Sequence, residues 1–453
     1  MTFAALMDAL ADRHVDAVEL TRRALVLARS RGSQVELARN ERVGIEVGHA
    51  ATRAFVEGLS GPLTLDLPAQ VRARLRAVAE EQLASVDAAV KGGVEGLVAQ
   101  QLALALEEAL GARFHDHLAA GGARTLDADD LLPFCSPFAQ ADGQFRLVYR
   151  GDMAPRPDRL GATRPGTLAS RGGLRPEVPH GAKLEWVPGW HVLDDLEPRS
   201  GVAALVLGTE LAWDLDQDRR VFFDVRPRQP EVRRDEALAL LAEADARGAH
   251  LAMLPELCLD AEGLAAVASW VEDSAENLRV AVCGSAHHRD GEGLANLAVI
   301  AAPREDEPLR TQQPKITPFV LRVGEVDLEE DIRRSGHTLR LLTGRWQSLL
   351  VLICKDFIDE ALARFAADLR ASLVLVPACS ETTGVFASGA SNLAQRRQAH
   401  VVVVNQRPGR GEGVSAILAR PRREAAATLH TAASPAPGLR WITLCDGPWD
   451  PDT

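Results

Sequence analysis

The chain has 453 residues, 46% of them hydrophobic and 25% charged, with a net charge of −12. That is enough for two or three domains with sizeable cores, and the acidic balance argues against a bulk nucleic-acid binder while leaving local basic patches open. Six cysteines (Cys135, Cys258, Cys283, Cys354, Cys379 and Cys445) are scattered, with no CxxC pair and no metal-ligand spacing. This fits a reducing compartment and predicts neither a disulfide framework nor a zinc site. The first residues lack the basic start and apolar core of a signal peptide, and no run approaches the ~18 apolar residues of a membrane span. The expected location is therefore cytoplasmic, with no membrane partner.

Residues 1–125 read as an all-α helical bundle. Phe3, Leu6, Met7 and Leu10, then Leu20, Leu25 and Val26, keep a helical period. A second helix is expected over about 35–59. A third starts near Asp66, with Pro68 in the first turn where proline is tolerated, and a fourth spans about 94–119. No catalytic constellation is visible here; a protein partner is the role left open for this bundle.

The stretch 126–200 changes character. Eight glycines and seven prolines fall between Gly151 and Gly201, too many for long regular elements, so an irregular connector or lid is expected. The segment FRLVYRG (145–151) is its one strand candidate.

From 201 to 453 the chain turns α/β. Strand runs at Val202–Leu207, Leu251–Leu254, Arg279–Cys283, Leu294–Ala301 and His400–Val404 alternate with helices, the first of these closed by Gly248. Their near-continuous apolar character predicts sheets buried on both faces. The most informative stretch is 345–377, in which a strand (Ser348–Ile353) ends at Cys354, a helix follows from Phe357, and a second strand stops at Pro377. A thiol at a helix N-terminus meets unpaired N–H groups and a partial positive charge, which predicts a lowered thiol pKa.

Three polar residues stand just past strand ends: Glu256 in LPEL, Lys315 in QQPKITPF and Cys354 in LICKDF. Together they form one chemical set: a nucleophile, a carboxylate able to act as general base, and a cation beside a developing oxyanion.

Here the sequence resembles the nitrilase, or carbon–nitrogen hydrolase, superfamily over about 201–420. The first family motif stands as DARGAHLAMLPEL, the middle one as VCGSAHH, LANLAVIAAP and QQPKITPF, and the nucleophile motif as LLVLICKDFIDEALARFAADLRASLVLVPA. RRQAHVVVVNQ is similar to the family's downstream strand ending in Asn.

The resemblance implies a four-layer αββα sandwich, commonly paired as a dimer through its nucleophile-side helices, with no metal or organic cofactor. It implies Glu256 as general base, Lys315 steadying the tetrahedral intermediate, Cys354 as nucleophile and the backbone N–H of Lys355 in the oxyanion hole. A second family glutamate falls on Glu329 or Glu330. The chain departs from the pattern at Lys355, where an aromatic is usual, and at Ala399–His400, where the family has Glu-Asn.

The activity expected is cysteine-dependent hydrolysis of a small amide or nitrile through an acyl thioester. Two alternatives stand beside it. One is N-acyl transfer, with an amine in place of water. The other is a regulatory or interaction module, such as a bacterial defence effector, with a vestigial or sensing triad.

Overall fold

The computed structural model describes residues 2–31, 54–125 and 178–444 (the last two with short interruptions), together with 131–132 and 166–167. The chain divides into two compact units, one built on the N-terminal helices and one that includes Glu177–Thr453.

In the first unit, α1 (Phe3–Ala11) begins on Thr2, whose side chain accepts the Ala5 N–H. It is followed by α2 (Ala17–Ser30), α3 (Ala69–Ala84) and α4 (Lys91–Ala119). α4 packs along α2, and α3 along α1. Leu6, Leu10, Leu20, Leu27, Leu75 and Leu106 are fully buried between them. The helix expected over 35–59 lies mostly outside the described residues, as do the strand expected at 145–151 and the arginine-rich part of the connector.

One charged side chain holds the bundle's turns together. Arg72, on α3, is buried and donates to the carbonyls of Leu67, Asp12 and Val15. It thus ties the α1–α2 turn to the start of its own helix. Arg72→Ala should destabilise the unit by at least about 2 kcal/mol, because hydrogen bonds from a charged donor are lost and buried acceptors are left behind. Urea unfolding followed by circular dichroism measures this.

The second unit starts earlier than composition suggested. Lys183–Pro188, inside the expected connector, forms β1. Leu184 and Trp186 alternate inward, and Trp186 Nε1 donates to Thr343 Oγ1 at 2.7 Å. A short period-two pattern survives among the glycines and prolines, and the second unit includes Glu177–Thr453.

The unit's strands and helices then follow in order. They are β2 (Gly201–Val206), β3 (Leu211–Asp216), β4 (Val221–Pro227), α5 (Pro230–Ala246), β5 (Ala249–Met253), α6 (Ala261–Ser274), β6 (Val280–Asp290), β7 (Gly293–Ala302), β8 (Leu309–Pro314), β9 (Val320–Val323), β10 (Val326–Glu330), β11 (Thr338–Thr343) and β12 (Ser348–Val351). After these come α7 (Lys355–Ile358), α8 (Glu360–Leu369), β13 (Leu373–Cys379), α9 (Gly384–Arg397), β14 (His400–Gln406), β15 (Ala416–Arg420), β16 (Thr428–Ala432) and β17 (Gly438–Thr443).

One sheet runs β8-β7-β6-β5-β2-β17, and another contains β1-β11-β12-β13-β14-β15-β16. α5 and α6 pack on the first sheet, where Leu205, Leu241, Leu254, Leu264, Val267 and Val271 make a fully buried core. α9 packs on β14 and β15 of the second. The two sheets meet through β2 with β14 and β6 with β13. This mixed α/β arrangement agrees with the expected class.

Two features differ from expectation. A further sheet, β9-β10-β4-β3, was not anticipated; its strands carry charges such as Asp214, Asp216, Arg226 and Arg322, and do not read as continuous apolar runs. The helix expected from Phe357 onward is broken at Asp359. That residue is extended, and its side chain accepts the Leu362 N–H to cap α8, leaving α7 as a single turn behind Cys354.

Candidate active site

Glu256 is placed by the end of β5. Beyond Met253 the chain keeps pairing with β6: Leu254 donates to Val282, Glu256 bridges Ser285, and Leu257 donates to the Ser285 carbonyl at 2.7 Å. The turn is tight. Leu257 sits at φ 58°, and Gly284 opposite has φ 87°. A Cβ on Gly284 would stand 2.6 Å from the Pro255 carbonyl, so only glycine fits both the backbone angle and the space.

Lys315 follows β8, and its N–H donates to the Asn296 carbonyl on β7. Its side chain is 2% exposed, with Nζ 2.8 Å from Glu256 Oε1 and 2.6 Å from Glu330 Oε2. Asn296 Nδ2 donates to Glu256 Oε1 and Glu330 Oε1, each at 3.0 Å. Glu330 also accepts from the Phe319 N–H at 3.0 Å and lies 2.9 Å from His287 Nε2.

Of Glu329 and Glu330, Glu330 is the one that lies in this network. Successive strand residues point to opposite faces, so Glu330 is buried in this network while Glu329 is exposed.

Cys354 enters from the other sheet. Its N–H donates to the Pro377 carbonyl at 2.9 Å, in continuation of the β12–β13 ladder, and its backbone then turns through φ 44° and ψ −97° into α7. Such a conformation is costly for a non-glycine residue and lifts the side chain off the sheet at the strand-to-helix corner. Its Sγ is 4.0 Å from the Cys379 carbonyl oxygen and is nearly buried.

Asp356, two residues on, is what joins the Lys315 segment to this corner. Its Oδ1 accepts the Thr317 N–H at 2.6 Å and the Ile316 N–H at 3.1 Å. On the far side of Cys354, Asn405 exchanges two hydrogen bonds with the backbone of Ser380 at 2.8 and 2.9 Å, fixing the chain after β13. Lys355 is half-buried at the first position of α7.

The electrostatics run against the lowered thiol predicted from the helix N-terminus. Burial raises the Cys354 pKa well above the ordinary thiol value, and the Glu256 charge adds to this, with Lys315 pulling the other way. The resting side chain at neutral pH is therefore a thiol. Lys315 is buried, which works against its charge. The Glu256 and Glu330 carboxylates outweigh that and hold it firmly as ammonium. Burial opposes ionisation of Glu330 too, yet Lys315 and His287 keep it well below the usual carboxylate range. Burial pushes Asp356 up to about 7 despite its two backbone donors. Cys258 and Cys283 lie inside the apolar core; burial pushes Cys283 up to about 12.

His287, Asn296 and Asp356 were not singled out from sequence as site residues. The signal for the first two was present in the VCGSAHH and LANLAVIAAP segments, whose polar residues at one register position face each other across β6 and β7. Among the described residues no cluster of His, Cys, Asp and Glu is arranged to hold a metal ion, and no helix is long and apolar enough to cross a membrane.

No protein-family model matches the chain, and no curated protein matches it. Among solved structures, an amidase from Nesterenkonia sp. is 20% identical over 55% of this chain and 91% of its own, with a TM-score of 0.38. Nit3 from Saccharomyces cerevisiae, a member of branch 10 of the nitrilase superfamily, is 14% identical over 54% and 90%, with a TM-score of 0.38. A glutamine-dependent NAD+ synthetase from Acinetobacter baumannii is 16% identical over 53% and 45%, again at 0.38. Each of these likenesses covers about half of this chain.

Proposed function

We propose that the C-terminal unit is a cysteine-dependent carbon–nitrogen hydrolase of the nitrilase type, built as a four-layer αββα sandwich and acting on a small amide or nitrile. The observation that carries this reading is the buried Glu256–Lys315–Glu330 network clamped to the Cys354 corner through Asp356.

The steps follow from the charges. For an amide, Glu256 takes the thiol proton as Cys354 Sγ adds to the carbonyl carbon. Both hydrogen bonds to Glu256 described above fall on Oε1, so Oε2 is the oxygen assigned to the proton. The oxyanion forms against Lys315 Nζ and the Lys355 N–H, two fixed donors in a water-poor site. Collapse expels ammonia or an amine carrying the proton from Glu256, and leaves a thioester. Glu256 then deprotonates a water, which adds to the thioester carbonyl; collapse releases the carboxylic acid, and the departing Cys354 sulfur takes the proton back from Glu256. Glu330, saturated by four donors, stays ionised and anchors Lys315.

Incubation with a panel of short-chain primary amides, followed by intact-mass measurement, tests this. The expected result is an acyl adduct on Cys354 that is absent from Cys354→Ala and forms far more slowly in Glu256→Gln, which lacks the base for both steps. Turnover by Cys354→Ala at the wild-type rate would remove the proposal.

A further inference from the structure

His287 lies outside the proposed chemistry, yet its ring is fully engaged. The Val225 N–H on β4 donates to Nδ1 at 2.9 Å, while Nε2 stands 2.9 Å from Glu330 Oε1. The His287 and Glu330 side chains are each 1% exposed. A ring nitrogen that accepts an N–H bond carries no proton itself. Nδ1 is therefore bare, Nε2 holds the one ring proton, and that proton is donated to Glu330. His287 is a neutral imidazole in a single tautomer, chosen by a backbone group on another sheet.

His287 and Asn296 are directly opposed in the β6–β7 register, and both donate to Glu330 Oε1. Lys315 and the Phe319 N–H occupy Oε2. The cross-strand pair thus fixes one oxygen so that the other faces the ammonium. A neutral donor does this without bringing a second cation to compete for the carboxylate.

We propose that His287, locked as the Nε2–H tautomer, is a positioning residue that holds Glu330 as the anchor of Lys315 and so sets where the ammonium stands relative to Cys354. This rests on the reading of Lys315 and Cys354 given above. The hydrogen bond from His287 also helps to hold Glu330 ionised.

Two substitutions separate donation from packing. In His287→Asn the amide oxygen replaces Nδ1 as acceptor for Val225, but the side chain is too short to reach Glu330. In His287→Gln the amide nitrogen reaches the Nε2 position and can donate. The readout is the rate at which iodoacetamide alkylates Cys354 at slightly alkaline pH, assigned by peptide mass mapping on the full chain, with Lys315→Met as reference. A displaced ammonium supports less thiolate, so His287→Asn should slow alkylation about tenfold and His287→Gln should restore most of the rate.

Equal rates in His287→Asn and wild type, with Lys315→Met slow, would overturn the inference and leave the hydrolase reading standing. Slowing by Gln as large as that by Asn would also overturn it. An unchanged rate in Lys315→Met would remove the Lys315–Cys354 reading itself. Should His287→Asn fail to fold, nitrogen NMR of the wild-type imidazole decides the matter, since a proton on Nδ1 contradicts the assignment.

Discussion

Lys315→Met should both silence the site and weaken the fold, and the two losses should separate in a second variant. The ammonium is 2% exposed between Glu256 and Glu330, at 2.8 and 2.6 Å. Methionine fills the volume but leaves two buried carboxylates facing each other without their cation. Breaking a buried pair in this way costs about 3–5 kcal/mol, more than a solvent-exposed ion pair contributes. Turnover of any amide found to acylate Cys354 should fall by about 10²–10³-fold or more, the loss typical of a missing oxyanion donor.

In Lys315→Met/Glu256→Gln one of the two uncompensated charges is gone. Stability should recover in part while turnover stays lost. Equal stability of Lys315→Met and wild type in urea would mean that the network carries no net stabilisation. The pH range of the intact network follows from the shifts. Glu330, held below its ordinary 4.5, contributes stability that is complete above that value and lost as the pH falls through its lowered pKa. Lys315, held above its ordinary 10.5, contributes stability that is complete below that value and lost only at higher pH.

The three polar residues were legible because each follows an apolar strand and lies beside a proline or a helix start, as with Pro255, Pro314 and the Cys354 corner. Strand ends can be read locally. What could not be read was the phase and partner of each side chain. Glu329 and Glu330 are adjacent, and only the pairing of β10 with β9 and β4 decides which one faces inward. Asp356 stands where a helix N-terminus favours an acid, yet its carboxylate serves the backbone of Ile316 and Thr317, about 40 residues away in sequence. The Cys354 thiol failed the local argument for the same reason. A helix of one turn offers a weak dipole, and burial with a facing Glu256 outweighs it. The strands β3, β4, β9 and β10 carry too many charges to announce themselves, although Phe222, Val225 and Leu328 form their own small buried cluster.

Asp356 should give the unit a pH dependence that asparagine abolishes. Burial raises its pKa from the ordinary 3.8 to about 7. Between those values the native chain holds a proton that the unfolded chain has released. Its contribution to stability is thus fully present below about 4 and is lost as the pH rises through about 7. Measured by urea unfolding, wild type should lose stability relative to Asp356→Asn across that window, and the gap should stay constant above it. Asparagine can keep most of the clamp because Oδ1 accepts both the Ile316 and Thr317 N–H groups, and only the second contact of the Ile316 N–H, 3.2 Å to Oδ2, is lost. A gap that stays flat from about 4 to 7 would show that Asp356 does not titrate there. Asp356→Ala is the harsher test. It orphans two buried N–H groups at about 1–3 kcal/mol each and frees the Lys315 segment from the Cys354 corner. A misplacement of about 1 Å in such a site costs on the order of 10²-fold, so turnover and Cys354 alkylation should fall together. If Asp356→Ala alkylates and turns over like wild type, the two sheets hold Glu256, Lys315 and Cys354 in place without this clamp.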